Sequence, residues 1–255
     1  MEENLRAALA AFSRAKPGGE TRTWPGMSAA RAAVNFAMFN AVTLTAPVET
    51  CTGLEACIEE AAAYFAESRL PWSFWLCDAW LGKGVPGRVQ QAFNRNGLHL
   101  VLELPGMEAL ALAPPCRPIP NLAFRRVQDG ETRSAFTYIM SSVFGIPYGV
   151  AREIYGAPGF WDGQFSGWLA YEEDVPVASA ATVAAGGVIG VYGVGSLPQR
   201  RRLGYGEAVM RHAIEREAEA SGGRPSALQS SEAGLRLYER MGFRPVARYA
   251  IFASG

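Results

Sequence analysis

The segment Val194-Gly195-Ser196-Leu197-Pro198-Gln199-Arg200-Arg201-Arg202-Leu203-Gly204-Tyr205-Gly206-Glu207 gathers the residue types that handle an anion. An apolar run ends in a polar turn with three consecutive arginines, and helix formers follow at once. Val209, Met210, Ala213 and Ile214 give that helix an apolar face, with Glu207, Arg211 and Glu215 at i, i+4 spacing on the other. The first turn of a helix has backbone N–H groups without partners and a partial positive charge, so it attracts an anion. Gly204 and Gly206 remove the Cβ atoms that would hold a phosphate away from that backbone. The arginines add positive potential at the same corner, suited to a pyrophosphate or a ribose phosphate. These residues predict a phosphorylated ligand on a helix N-terminus; the competing reading is a basic turn whose glycines serve packing alone. This segment carries neither GxxxxGK[ST] nor GxGxxG, the signatures of a nucleotide triphosphate loop and of a dinucleotide fold.

A second segment, Leu235-Arg236-Leu237-Tyr238-Glu239-Arg240-Met241-Gly242-Phe243, lies about thirty residues downstream, with one helix and one strand between. Arg201-x-x-Gly204-x-Gly206, following Pro198 and a strand, resembles the pyrophosphate-binding motif of the GNAT superfamily of acetyltransferases. The second segment is similar to that superfamily's LYE-x-x-GF helix and turn. The resemblance covers roughly residues 122–255. It implies a GNAT-like mixed α/β fold, with a central, mostly antiparallel sheet flanked by helices. It also implies an N-acetyltransferase that uses acetyl-CoA (or another acyl-CoA) as cosubstrate, with no metal. Carried over, Arg201 and the backbone amides of Arg202, Leu203, Gly204, Tyr205, Gly206 and Glu207 bind the CoA pyrophosphate. Val194, Gly195 and Ser196 belong to a strand that splays from its neighbour and pairs with the pantetheine amides like an added strand. Ser231 stands where many members carry Asn; the resemblance makes it a candidate cosubstrate contact, and it can also cap the following helix.

Acyl transfer from a thioester needs a deprotonated acceptor, a stabilised oxyanion and a proton for the leaving thiolate. The resemblance makes Tyr238 the general acid; the competing role is an aromatic packed under the sheet with Leu235 and Leu237. The N–H of Gly195 or Ser196 is the candidate oxyanion donor. Many members carry a Glu on the strand before the phosphate motif, yet Val188–Leu197 has no acid. Tyr192 acting through water, Glu153 and Glu172 remain as candidate bases, and none is needed if the acceptor amine is already neutral. The expected acceptor is an amine of a small molecule or a peptide. A non-catalytic acyl-CoA-binding sensor or structural partner derived from the same fold is the second reading.

These groups must be positioned by elements legible in the pattern. Four prolines between Ala113 and Pro120 mark a linker at 114–120, dividing the chain into 1–113 and 121–255. In the first half, periodicity predicts helices at 3–14, 53–68 and 85–94 and strands at 34–44, 72–77 and 98–104. In the second half it predicts strands at 122–127, 167–171, 175–184, 188–197, 226–230 and 243–252. Helical stretches are expected up to about residue 155, at 204–220 and at 232–241. The first half has no RxxGxG, and Gly82-Lys83-Gly84 reads as a turn. It resembles the degenerate GNAT-like half of tandem members, smaller than the second and expected to wall the acceptor pocket or support a homodimer.

Composition narrows the classes. A chain that is 49% hydrophobic and 19% charged is globular. Lys plus Arg equals Asp plus Glu, 24 against 24, which gives no general reason to expect nucleic acid or a membrane surface as partner. The N-terminus has no basic region followed by an apolar signal core, so the expected location is cytoplasmic. Cys51, Cys57, Cys77 and Cys116 form no CxxC, and the two histidines, His99 and His212, lie far apart. Both facts argue against structural zinc.

Overall fold

A computed structural model describes residues 1–254. Its strands are β1 (Glu20–Trp24), β2 (Met27–Arg31), β3 (Asn40–Leu44), β4 (Ser73–Cys77), β5 (Leu98–Ala109), β6 (Ala123–Arg126), β7 (Phe165–Glu172), β8 (Val175–Ala185), β9 (Val188–Ser196), β10 (Ser226–Gln229) and β11 (Arg244–Ser254). Its helices are α1 (Glu2–Phe12), α2 (Cys51–Ser68), α3 (Val89–Arg95), α4 (Gly130–Phe144), α5 (Tyr148–Tyr155), α6 (Pro158–Trp161), α7 (Tyr205–Ser221) and α8 (Glu232–Arg240). The fold is mixed α/β, with one mostly antiparallel sheet flanked by helices. Residues 110–122 form no helix or strand.

The eleven strands run in the order β1-β2-β3-β4-β11-β5-β10-β9-β8-β7-β6. Two parallel contacts interrupt the antiparallel pattern, β3 with β4 and β9 with β10, and each joins the strands on either side of a helical crossover. The centre is interleaved. The C-terminal strand β11 lies between β4 and β5 of the first half, and β5 in turn pairs with β10 of the second. Each half therefore contributes a strand to the other's stretch of sheet.

Helices cover both faces. On one face α7 and α8 bury Val209, Met210, Ala213, Ile214, Met241 and Phe243 against β8–β10. On the other, α4, α5 and α1 pack Phe136, Met140, Ile154 and Ala8 over β7–β9. The first half has its own core, in which Phe65 stacks on Trp72 and Phe93 on Phe252. Local signals explain the helix starts: Thr50 caps α2, and Asp129 and Thr132 form a capping box on α4.

Three expectations need correction. Only 40–44 of the predicted strand 34–44 is a strand; 37–39 form a 3-10 turn tied down by Asn40, whose amide bonds the carbonyls of Val34, Phe36 and Pro71. The hairpin β1–β2 was not expected. Its Pro25-Gly26 turn, with Gly26 at φ 84°, carries the residues a type II turn demands. Glu207 belongs to the buried side of α7, at 7% exposure, with its carboxylate held by Arg211 at 2.9 Å.

Candidate active site

The N-terminus of α7 lies at the end of β9, separated from it by a 3-10 turn at Pro198–Arg200. Its N-cap is Gly204, in the left-handed region at φ 85°, and no side chain caps it. A Cβ on Gly204 would stand 3.3 Å from Pro120, so conformation and packing both require glycine there. The first main-chain bond of the helix runs from Ala208 N–H to Gly204 O at 3.0 Å. Among the described residues, the N–H groups of Arg201 through Glu207 have no acceptor. Unpaired amides in succession at a helix start are an anion site waiting for oxygen ligands. At Gly206 an added Cβ would meet only Ser196 Oγ, at 3.2 Å, so the space above that amide is open.

The arginines divide their work. Arg200 pairs with Glu172 at 2.9 Å, and that carboxylate also accepts the hydroxyl of Tyr205. Arg201 and Arg202 are exposed beside the free amides. A further cation comes from the Pro-rich segment between β5 and β6: Arg117 Nη2 lies 3.7 Å from the position a Gly204 Cβ would take. Sequence reading missed Arg117, since the prolines around it advertise only a linker.

β9 and β10 pair through Ser226–Ile189 and Ala227–Gly190 and then part. From Val191 to Ser196, β9 has β8 on one edge and no strand on the other. Val194 and Ser196 therefore present main-chain groups to a V-shaped opening, whereas Gly195, opposite Ser179 and two residues before the Leu197 N–H that bonds Val177 O, turns its own toward β8. A bulge lies within this stretch, where Gly193 O accepts from Ser179 Oγ at 2.9 Å. On one face of the opening α4 comes very close: a Cβ on Gly195 would stand 2.7 Å from Val143 Cγ1.

Tyr238 sits on the other face. It shares a buried cluster with Val191 and Leu228, the β9 and β10 residues where the strands separate. Its ring leans on Gly234, where a Cβ would stand 2.6 Å from the ring and 3.2 Å from the hydroxyl. That accounts for a glycine inside α8 despite a helix cost of about 1 kcal/mol. The ring is buried. Burial pushes the phenol up to about 12, so it is protonated at neutral pH. Ser231 occupies the N-cap of α8 without capping it: its side chain makes no such bond, and Ser230 Oγ bonds the Ser231 carbonyl at 2.8 Å instead.

The other candidate proton carriers lie elsewhere. Glu153 pairs with Lys16 on the surface, and Glu172 is committed to Arg200 and Tyr205. Tyr192 donates its hydroxyl to Asn4 Oδ1 at 2.7 Å and is pushed up by burial, then by the charge of Glu2. His212 packs flat on Phe124, with ring centroids 4.2 Å apart, outside the site. Gly82 belongs to a turn packed on Glu49, as expected. Among the described residues no group of three or more His, Cys, Asp or Glu is placed to hold a metal.

The family profile described as acetyltransferase (GNAT) domain matches residues 163–245. Among solved structures, a GCN5-related N-acetyltransferase from Kribbella flavida is 21% identical, with a TM-score of 0.72 over 100% of this chain and 96% of that one. A conserved protein of unknown function from Staphylococcus epidermidis is 17% identical, with a TM-score of 0.66 over 94% of this chain and 95% of the other. A GCN5-related N-acetyltransferase from Sphaerobacter thermophilus is 15% identical, with a TM-score of 0.57 over 90% of this chain and 76% of the other. At these identities the likeness is one of fold. A search of curated proteins finds no match.

Proposed function

With an acetyltransferase (GNAT) domain at residues 163–245, we propose that the chain binds an acyl-CoA, acetyl-CoA being the expected donor, and transfers the acyl group to an amine. One observation carries this reading: the unpaired amides of Arg201–Glu207 adjoin the unpaired edge of β9. The two together match a ligand with an anionic head and an amide-bearing arm. The amides of the α7 turn hold the pyrophosphate, and Arg201, Arg202 and Arg117 neutralise its charge. Val194 and Ser196 bond the pantetheine amides in the manner of a neighbouring strand.

The donor's arm then leads the thioester into the opening beside Tyr238. The N–H of Ser196 faces the developing oxyanion, and the Tyr238 hydroxyl delivers a proton to the departing sulfur. Tyr238 suits this role because burial leaves it protonated at neutral pH. The acceptor is an amine of a small molecule or a peptide.

The second reading, an acyl-CoA binder without turnover, is favoured by one feature: the β9 sequence Val188–Ser196 contains no carboxylate. Titrating acetyl-CoA calorimetrically, then following thiol release with a panel of amines, tests both. Micromolar binding with amine-dependent release is expected. Binding without release establishes the binder, and no binding overturns the donor assignment.

A further inference from the structure

A carboxylate marked by no motif lies beside the opening, on the face opposite Tyr238. Glu2, in the first turn of α1, accepts the hydroxyl of Tyr249 on β11 through Oε1. Tyr249 is fully buried, so this bond fixes the carboxylate against the sheet. The register gives its height. Ala227 pairs with Gly190, Gln229 with Gly106 and Gly106 with Ala247, so Tyr192, Gln229 and Gly106 form one row across the sheet, at the level where β10 ends. Gly106 has no Cβ because Tyr249 and Met1 lie over it; one would stand 2.7 Å from Tyr249 Cε2 and 2.9 Å from Met1 Sδ.

α1 is clamped at this row from both sides. Asn4 donates to the carbonyls of Val183, Ala185 and Val188 at 2.8, 3.1 and 3.2 Å, and its Oδ1 takes the Tyr192 hydroxyl. Tyr249 clamps the other side. The first turn of α1 thus bridges the floor of the opening, from β9 to β11. Oε1 of Glu2 is taken by Tyr249, and the carboxylate also faces the Cys77 thiol and the Tyr192 ring end. Glu2 also lines a cavity of about 430 Å³ open to solvent, formed with Glu3, Arg6, Cys77 and Trp80. The titratable and charged groups facing it are Tyr249, Tyr192 and Cys77 from the strands and Glu3 and Arg6 from its own helix.

We propose that Glu2 is the catalytic base of the acyl transfer, supplying from α1 the carboxylate that β9 lacks; this rests on the function proposed above. The acceptor enters from the α1 face and the donor's thiol leaves past Tyr238 on the other. The amine lone pair forms the N–C bond, and the N–H proton passes to the Glu2 carboxylate. The tetrahedral oxyanion collapses, the C–S bond breaks, and the thiolate takes the Tyr238 proton. Glu2 returns its proton to solvent and Tyr238 regains one, so the balance is amine plus thioester to amide plus thiol. Tyr249 is a positioning residue.

The test uses the full chain with acetyl-CoA and three primary amines: spermidine, glucosamine and a lysine peptide. Glu2→Gln lowers kcat/KM at pH 7 by roughly 10²–10³. The deficit narrows as pH rises toward 10, where the amine deprotonates without help. Affinity for acetyl-CoA stays within about twofold, since the pyrophosphate cradle is untouched. Tyr249→Phe keeps the carboxylate and gives a smaller loss with the same pH trend. An unchanged kcat/KM in folded Glu2→Gln overturns the proposal, and so does a loss that is constant from pH 6 to 10, which is what a structural role predicts. A wild-type chain that binds acetyl-CoA but acylates none of the amines overturns it too, leaving donor binding intact. Failure to bind acetyl-CoA at all sinks the function reading instead.

Discussion

The β3–α2–β4 and β9–α7–β10 regions are two versions of one frame. Each joins parallel neighbours through a helix, of 18 residues in α2 and 17 in α7. They differ in what happens above the strands. In the first half the chain seals the place itself. Thr50 Oγ1 accepts the Gly53 N–H at 3.1 Å, and Val48 bridges Trp80 and Gly82 through bonds of 2.8 and 2.9 Å. In the second half the helix starts at an uncapped glycine, and β9 has no strand opposite its free edge. A frame becomes a candidate site where the chain leaves its own main chain unsatisfied.

The largest expected effect concerns Tyr238. Tyr238→Phe removes one oxygen from a packed ring, so affinity for acetyl-CoA stays within a few-fold while turnover falls by roughly 10–10³. Rapid-quench measurement of the chemical step checks this, and near-wild-type turnover would make the tyrosine a core residue only. Burial holds this phenol at about 12, above its ordinary value. A group raised in the folded state contributes its stability fully below about pH 10 and loses it as pH climbs toward 12. No alkaline loss of rate from Tyr238 is therefore expected below about pH 10.

Next comes a paired substitution. Gly206→Asp puts a negative charge into the open cradle and weakens CoA at least tenfold, about 1.4 kcal/mol. The fold persists, since a carboxylate in the first turn of a helix is favourable. Gly53→Asp, in the sealed first turn of α2, leaves CoA affinity unchanged. Equal effects in calorimetric titration would erase the distinction between the halves. Smaller again is Arg117→Ala, expected to weaken CoA by about threefold at low salt, with the deficit fading as ionic strength screens an exposed charge. The smallest is Thr50→Ala, which costs about 1 kcal/mol in denaturant melts and leaves CoA affinity unchanged.

The start of α7 was legible because its signals are local: arginines, two glycines and helix formers within a few residues of one another. The strands of the second half were legible for the same reason, since their apolar runs are bounded by turn residues. What escaped depends on partners far away. Glu2 meets Tyr249 across 247 positions and Asn4 meets Val183 across 179. No period or motif spans such distances. Gly234 was a missed local clue, because a helical glycine four residues before Tyr238 marks where the ring folds back. The β1–β2 hairpin was also within reach, through Pro25-Gly26 between two extended runs.

The interleaving of β5 and β11 has a kinetic side. β4 and β5 are both made long before the strand that lies between them, Arg244–Ser254. Until it arrives, both strands keep an unpaired edge, and Phe93 and Leu98 wait for Phe252. Contacts closing over 136–180 positions carry a large loop-closure entropy and are slow to form. The nascent first half is thus exposed to mispairing, and its edges are a place for chaperones to act.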